Sequence, residues 1–372
     1  MTQTTSRPSL STHATKVLEQ TYLSDEELLE RFALPGDVTA SAIAISPRAK
    51  IEENKDGEVQ VRFNSDKNAT HVLAGKEAIE SLVKFIGVSP TLVKDYPSKL
   101  TLPLLSHGLA RKEGAVAVID GEGRLLNVSD QAKLKPVMAA EQVLEHIREQ
   151  WPEVQWQDGE ISSPKGDRAY GADLIAITHN DVERLEQRVD RNLHQRLPAG
   201  GDPYRAGIHA HFNPMGITEP LIEPYIQRLV CLNGAIHSEY LSHEWGRGFG
   251  EGDDLWQWFR DGLIASNVAI GGVMDKYAEM VGQTFETGTD RARAVEGFIR
   301  SARLTREDAQ AVRDGAIANP PETQYDLFQL ATATATHGGS KSLEQLLNRQ
   351  RVAASTASHP HIDRFCPTCN RN

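Results

Sequence analysis

Two cysteines and two histidines near the C-terminus form the sharpest chemical pattern in the sequence. The segment from 359 to 369 contains His359, His361, Cys366 and Cys369. Two thiolates in a C-x2-C arrangement can both reach one Zn²⁺ ion, because the short turn between them points both sulfur atoms inward. The histidines lie within loop reach of the same ion, so these four residues are predicted to bind a structural zinc ion.

Other interpretations of this tail stay open. Four ligands from eleven residues would be cramped, so another segment or subunit could supply the fourth. The alternative is a tail with two unliganded thiols. A redox-active pair is disfavoured, because no βαβ pattern precedes the cysteines.

A second candidate site is the pair His209 and His211, which alternate on a predicted strand and therefore share one face. With His237, His243 and Glu244 downstream, they could form a metal or acid–base site, as a metal-dependent enzyme would need. The competing interpretation is that these histidines are packed and hydrogen-bonded, and we favour it.

A basic stretch is the best candidate for contact with a polyanion. Arg184, Arg188 and Arg191 have i, i+4, i+7 spacing and would share one face of a helix predicted over 181–196. We predict that they bind nucleic acid together with Arg196 and Arg205. Acidic residues interleaved with them favour the alternative of an ordinary solvated helix.

Length, composition and charge narrow the classes of protein. The 372 residues suit two domains or one large one, and the formal net charge of −11 disfavours nonspecific binding to duplex DNA. Three cysteines cannot form a disulfide framework, which indicates a reducing compartment. No signal peptide and no apolar run long enough for a bilayer occur, so we expect a cytoplasmic protein, in the host cytoplasm if a phage encodes it. No P-loop, Rossmann, zinc-protease or nucleophile-elbow motif is present.

Hydrophobic patterning predicts an α+β fold. Ser24 and Glu27 form a capping box at the start of a helix, and Thr305 followed by Asp308 is predicted to cap another. A hairpin is predicted between the apolar run at 42–45 and the alternating strand at 59–63, around the turn at 54–57, and a second one between 115–119 and 125–128. A helix is predicted over 139–150, a loop over 151–170 and strands over 174–177 and 208–212. Further helices are predicted over 226–240, 253–282, 290–303, 306–318 and 323–352.

The predicted organisation follows from this pattern. Residues 1–20 are a flexible N-terminus, 21–235 an α+β domain with antiparallel hairpins, 236–355 a mainly helical region and 356–372 the Cys/His tail.

Three stretches together resemble a phage and plasmid protein family known only as a domain of unknown function. They are FIGVSPTLVKDYP at 85–97, GIHAHFNPMG at 207–216 followed by RLVCLNG at 228–234, and TQYDLFQLATATATH at 323–337. The resemblance spans roughly residues 75–352 and implies phage or prophage origin. It implies no catalytic residues.

These observations favour a binding protein over an enzyme. The first hypothesis is a phage accessory protein that contacts single-stranded nucleic acid or replication and recombination partners, as a homo-oligomer. The arginine face, the zinc tail and an aromatic cluster within 245–259 motivate it. The second is an acidic protein that binds and neutralises a host factor, and the third is the metal-dependent enzyme.

Overall fold

The computed structural model of the chain describes residues 22–34, 38–66, 69–89, 101–129, 137–161, 171–197, 201–216, 220–229, 233–237, 253–337 and 342–357. The fold is α+β, as predicted: antiparallel sheets form the first and middle parts and helices form the C-terminal part. None of the described helices combines the length and the apolar character needed to cross a bilayer.

Two small antiparallel sheets share one hydrophobic core with two helices. Their strand orders are β2-β3-β4 and β1-β5-β6. The core takes apolar residues from strands of both sheets and from both helices, including Val61, Leu82 and Leu105. The bounds are β1 (Thr39–Ala44), β2 (Lys50–Glu53), β3 (Val59–Arg62), β4 (Thr70–Val72), α2 (Gly75–Ile86), α3 (Leu102–Leu109), β5 (Gly114–Ile119) and β6 (Leu125–Ser129).

The first predicted hairpin is correct at its turn and wrong in one strand. The Asn54 side chain accepts hydrogen bonds from the backbone N–H groups of Asp56 and Glu58, and Gly57 has a left-handed φ of 84°. The turn joins β2 to β3, whereas β1, the strand expected there, pairs with β5 instead. The second predicted hairpin, β5–β6, is confirmed.

A five-stranded antiparallel sheet lies at the centre of the molecule, in the order β11-β10-β9-β8-β7. One face packs on α1, α4 and the first part of α5, with Trp156, Phe212 and Phe259 in that core. The other face packs on α9 through Ile175, Tyr225 and Leu347. The bounds are α1 (Asp25–Phe32), α4 (Ala140–Gln150), β7 (Gln155–Ile161), β8 (Ala172–Arg184), β9 (Pro203–Phe212), β10 (Leu221–Arg228) and β11 (Asn233–Ile236).

The helices of the C-terminal part share a hydrophobic core with strands of the central sheet. Its largest core contains Tyr277, Phe298 and Phe328 from the helices together with Ala206 and Ile226 from strands. Packing of amphipathic helices on a sheet removes the apolar faces of both from water, which is the main driving force for this arrangement. The bounds are α5 (Asp253–Gly282), α6 (Gly288–Ser301), α7 (Arg306–Ala318), α8 (Gln324–His337) and α9 (Leu343–Ala357).

Four sequence predictions of secondary structure are wrong. The segment predicted as a helix over 226–240 forms the end of β10 and all of β11, and the loop predicted over 151–170 contains β7. The stretch 181–196 is the end of β8 followed by two short 3-10 helices, Leu185–Gln187 and Arg191–Arg196. The helix predicted over 323–352 is two helices, α8 and α9. Short apolar runs fit strands and helices equally well, and tertiary pairing decided between them.

Candidate functional site

His209 and His211 lie on the sheet face that α9 covers, so the prediction that they share a face is confirmed. The strand register fixes their neighbours. Asp173 of β8 lies opposite His211, and Glu223 of β10 lies opposite His209. Side chains of paired residues stand on the same face of a sheet. Two carboxylates are therefore brought to the two histidines.

His209 is fully buried and holds a carboxylate at each ring nitrogen. Its Nδ1 lies 2.9 Å from Glu223 Oε2, and its Nε2 lies 2.9 Å from Asp173 Oδ1. Burial alone would lower the pKa of His209, but the hydrogen bonds to Asp173 and Glu223 outweigh it and raise the pKa. Because both partners are ionised acceptors, both nitrogens donate and His209 is an imidazolium.

Arg351 extends this network to α9. Its Nε donates to Glu223 Oε1 over 2.9 Å, and one terminal amino group donates to Oε2 of the same carboxylate. Burial would raise the pKa of Glu223, but the hydrogen bonds from His209 and Arg351 lower it to about 2. The network therefore joins the helix to the middle of the sheet through charges that are all paired.

His211 is the outer member of the network. Its Nδ1 donates to Asp173 Oδ1 over 2.9 Å, and its side chain is 23% exposed. Burial would raise the pKa of Asp173, but the charge of His211 and the hydrogen bonds from both histidines hold it far below its usual value. The ring lies against Gly171, where a Cβ would come within 2.3 Å of it. The ring orientation is therefore fixed by both a hydrogen bond and packing.

The other residues proposed for this site do not join it. His237 is buried elsewhere, with Nε2 2.7 Å from the hydroxyl of Tyr277. His243 and Glu244 lie outside the described residues. Across the described ranges, no group of three or more His, Cys, Asp or Glu side chains is arranged to hold a metal ion. The histidine pair belongs to a closed ion network, as the packed and hydrogen-bonded interpretation expected.

A second buried network surrounds Asp202. The carboxylate accepts from Arg228 Nε over 2.7 Å and from the hydroxyl of Tyr325. The hydroxyls of Tyr325 and Tyr204 are also in contact. Arg228 is also the first residue of the RLVCLNG stretch at 228–234 on which the expected family resemblance partly rests. Here it joins a strand to the loop before β9 and, through Asp202, to α8.

The five arginines predicted to bind nucleic acid do not form one helix face. Most of them make contacts within the protein. The contacts are those of Arg184 with Glu186, Arg188 with Glu183 and Asp275, Arg196 with the carbonyl oxygens of Val281 and Gly282, and Arg205 with the hydroxyl of Tyr22. Arg191 is exposed. Nucleic-acid binding by these residues stays a prediction.

The predicted zinc ligands His359, His361, Cys366 and Cys369 lie outside the described residues. Zinc binding by the tail stays a prediction as well.

A cavity of about 210 Å³ lies between α6, α7, α8 and α9. Apolar side chains form much of its wall, among them Phe298, Leu304 and Ala331. An apolar cavity of about 150 Å³ can hold a benzene molecule, so this one has room for a ligand of that size or slightly larger. No single stretch of the sequence indicates this cavity, because four separate helices contribute to it.

Arg303, at this cavity, is the one non-glycine residue of the described chain with a left-handed backbone, at a φ of 49°. It follows the end of α6. Its N–H donates to Arg300 O over 3.2 Å, and the N–H of Leu304 donates to Ile299 O over 3.3 Å. These two bonds are the Schellman pattern that closes a helix, and the position of Arg303 in it is usually occupied by glycine.

A second guanidinium at the cavity has an unsatisfied donor. Arg349 Nη2 donates to Asp308 Oδ2 over 3.0 Å. That carboxylate also accepts from the hydroxyl of Thr305, and the hydroxyl in turn caps α7 by accepting from the N–H of Asp308. Arg349 Nη1 is buried and has no hydrogen-bond partner among the described residues. Two arginines thus belong to the cavity lining, together with one carboxylate that is already bonded.

No family model matches the chain, and no curated protein or solved structure is significantly similar to it.

Proposed function

We propose that the protein binds a small carboxylate whose apolar body enters the cavity between α6 and α9 and whose charge is met by Arg303 and Arg349. The observation that carries the proposal is that Arg303 has the left-handed backbone conformation that glycine usually adopts at the end of a helix. Binding of this ligand agrees in class with the expectation of a binding protein rather than an enzyme. Single-stranded nucleic acid and a host protein stay predicted partners.

The backbone at Arg303 has a cost that supports this interpretation. An L-residue in the left-handed region is less stable than glycine there by roughly 1–2 kcal/mol. Residues held in such conformations persist where the site uses them, and an exposed arginine contributes little to packing. An arginine in the lining of a largely apolar cavity can pair its guanidinium with an anionic ligand.

The charged side chains of the cavity lining favour an anionic ligand over a cationic one. Asp308 is held by Arg349 and by the cap of α7, so it is not available to a cation. Arg303 and Arg349 against the single Asp308 leave an excess of positive charge in the cavity lining.

The side chains of the cavity wall favour a ligand whose uncharged part is small and apolar. Phe298 and Ala331 are each 1% exposed, so the inner wall is apolar and without open hydrogen-bonding side chains at these positions. The volume of about 210 Å³ admits a benzene ring or a short alkyl chain. Benzoate and hexanoate represent the two shapes.

The test is calorimetric titration of the full-length protein with benzoate and hexanoate, and with the neutral analogues benzyl alcohol and hexanol. Nine non-hydrogen atoms at about 0.5 kcal/mol each correspond to a dissociation constant of about 0.5 mM for benzoate. We expect the neutral analogues to bind about tenfold or more weakly, since they cannot form charge-assisted hydrogen bonds. Equal affinity for benzoate and benzyl alcohol would refute a role of the arginines.

Two variants locate the site. Ala331→Leu fills part of the cavity and should remove binding of both carboxylates while keeping the helical signal of the protein. Arg293→Ala, on the same helix as Phe298, removes an arginine that is 67% exposed and distant from the cavity lining. It is the matched control and should bind benzoate as the natural chain does. Unchanged affinity of Ala331→Leu would place binding elsewhere.

A further inference from the structure

Helix α5 carries an exposed apolar surface on the side that faces away from the core. Ile264 is 49% exposed and Val268 is 75% exposed, and they lie one turn apart. Gly271 continues the same side, and a Cβ built on it would meet nothing within 4 Å. Of the other large apolar side chains that are exposed in the described chain, each is on a different element or loop, as with Leu104 on α3 and Ile317 on α7.

Charged residues of this helix face lie beyond both ends of the apolar patch, while Asn267 and the guanidinium of Arg188, which donates to Gly271 O over 3.3 Å, lie beside it. Arg260 and Asp261 precede it, and Asp275 follows it. Spacings of three, four, seven and eleven residues keep all of them on one side of an α-helix. The face is therefore apolar in the middle, with Arg260 and Asp261 near its start and Asp275 near its end.

We propose that this face pairs with the same face of a second copy of the chain, the two α5 helices running antiparallel across a two-fold axis. Arg260 and Asp275 lie the same number of residues from the midpoint between Asn267 and Val268. An axis at that midpoint sets Arg260 of each copy opposite Asp275 of the other. The two-fold axis makes this ion pair twice, as an isologous interface requires.

The same register places the apolar residues favourably. Ile264 of one copy comes opposite Gly271 of the other, where the missing side chain leaves room for it. The two Val268 side chains meet beside the axis. Small residues opposite large ones let two helices approach closely.

A shift of one residue removes this complementarity. An axis through Val268 itself would set Asp261 opposite Asp275 and Arg260 opposite Lys276. Both contacts bring like charges together, which is destabilising. The charges of α5 thus favour one register over its neighbour.

Asp275 has room for a second guanidinium. It accepts a hydrogen bond from Arg188 of its own chain over 2.8 Å, and its side chain is 66% exposed. Arg188 is also held by Glu183, so this surface has two carboxylates for one arginine. The excess of negative charge suits Arg260 of the second copy. This inference is independent of the proposed ligand.

The test is sedimentation equilibrium of the full-length chain over a concentration series. One helix pair buries less surface than a standard interface of about 1,600 Å², so we expect a dissociation constant of roughly 1–100 µM and twice the chain mass of 41.0 kDa at high concentration. Val268→Asp should weaken the dimer at least about tenfold, because it places two carboxylates at the axis. Ile317→Asp, an equally exposed position on α7, is the matched control and should leave the dimer unchanged.

A charge swap tests the register itself. Arg260→Asp and Asp275→Arg should each weaken the dimer about three- to tenfold, and the double variant should restore it to within about threefold of the natural chain. Failure of the double variant to restore the dimer would overturn the register. A natural chain that stays monomeric at about 1 mM would overturn the interface. A lower thermal midpoint for Val268→Asp in that monomer would show that another part of the chain covers the face.

Discussion

Replacing Arg303 by glycine should stabilise the helical part of the protein and weaken its binding of the carboxylate. The left-handed φ of 49° costs an L-residue roughly 1–2 kcal/mol that glycine does not pay. Glycine loses more entropy on folding, by about 0.5–1 kcal/mol. The net gain is therefore about 0.5–1 kcal/mol. The lost guanidinium should weaken benzoate binding about tenfold or more.

Hydrogen exchange at the amide of Leu304 measures the stability gain locally. This amide is bonded to Ile299 O in the turn that Arg303 closes. A gain of 0.5–1 kcal/mol corresponds to about two- to fivefold slower exchange. Arg303→Ala is the matched control, because it removes the charge but keeps a Cβ in the left-handed region.

Two results would refute the reasoning. If Arg303→Gly and Arg303→Ala exchange equally fast, the backbone at this position is not strained. If the glycine variant is more stable but binds benzoate as the natural chain does, the strain is real and Arg303 does not serve the ligand.

Three further predictions concern the sheet and its ion network. Because the pKa of His209 is raised in the folded protein, its contribution to stability is complete below about pH 6.5 and is lost as the pH rises toward that raised pKa. The pKa of Glu223 is lowered, so its contribution is lost as the pH falls from about 4.5 to about 2. The unfolding free energy of the natural chain minus that of His209→Gln should therefore be largest between those limits, and a flat difference across pH 4–9 would contradict this. Arg351→Met should lower the free energy of unfolding by about 3 kcal/mol, because it leaves the charge of Glu223 buried with one partner fewer. Urea titration measures this free energy. A loss under about 1 kcal/mol would mean that the ion pair of Arg351 and Glu223 does not hold α9 on the sheet. Gly207→Ala should lower the thermal midpoint strongly, since its Cβ would come within 2.0 Å of the carbonyl oxygen of Ala176, and a variant as stable as the natural chain would show that β8 and β9 can separate there.

Local signals in the sequence predicted the elements that have them. The capping box of Ser24 and Glu27 is present at α1, and Thr305 caps α7 as its spacing to Asp308 indicated. The bounds of α5 and α7 match the predicted helices over 253–282 and 306–318. Caps and helical periodicity are written within a few residues, so the sequence alone can reveal them.

Elements defined by distant partners were missed. Strand β7 was predicted as a loop, and it forms because its backbone pairs with β8. The end of β10 and all of β11 were predicted as part of a helix, because their apolar residues run without a clear period of two. Pairing with β9 satisfies the backbone of β10.

In the candidate sites too, contacts between residues far apart in the sequence could not be predicted. The shared face of His209 and His211 followed from alternation along one strand. Their partners could not be predicted, since Asp173 is separated from His209 by 36 positions and Arg351 from Glu223 by 128. The cavity has a weak signal in the sequence: α6 ends without the usual glycine, at Arg303.

The most direct test of the proposed function is a crystal structure of the full-length protein with 4-bromobenzoate. We predict an anomalous bromine peak inside the cavity between Phe298 and Ala331, with the carboxylate within hydrogen-bond distance of Arg303 or Arg349. A cavity without bromine at a ligand concentration that saturates the calorimetric signal would contradict the account.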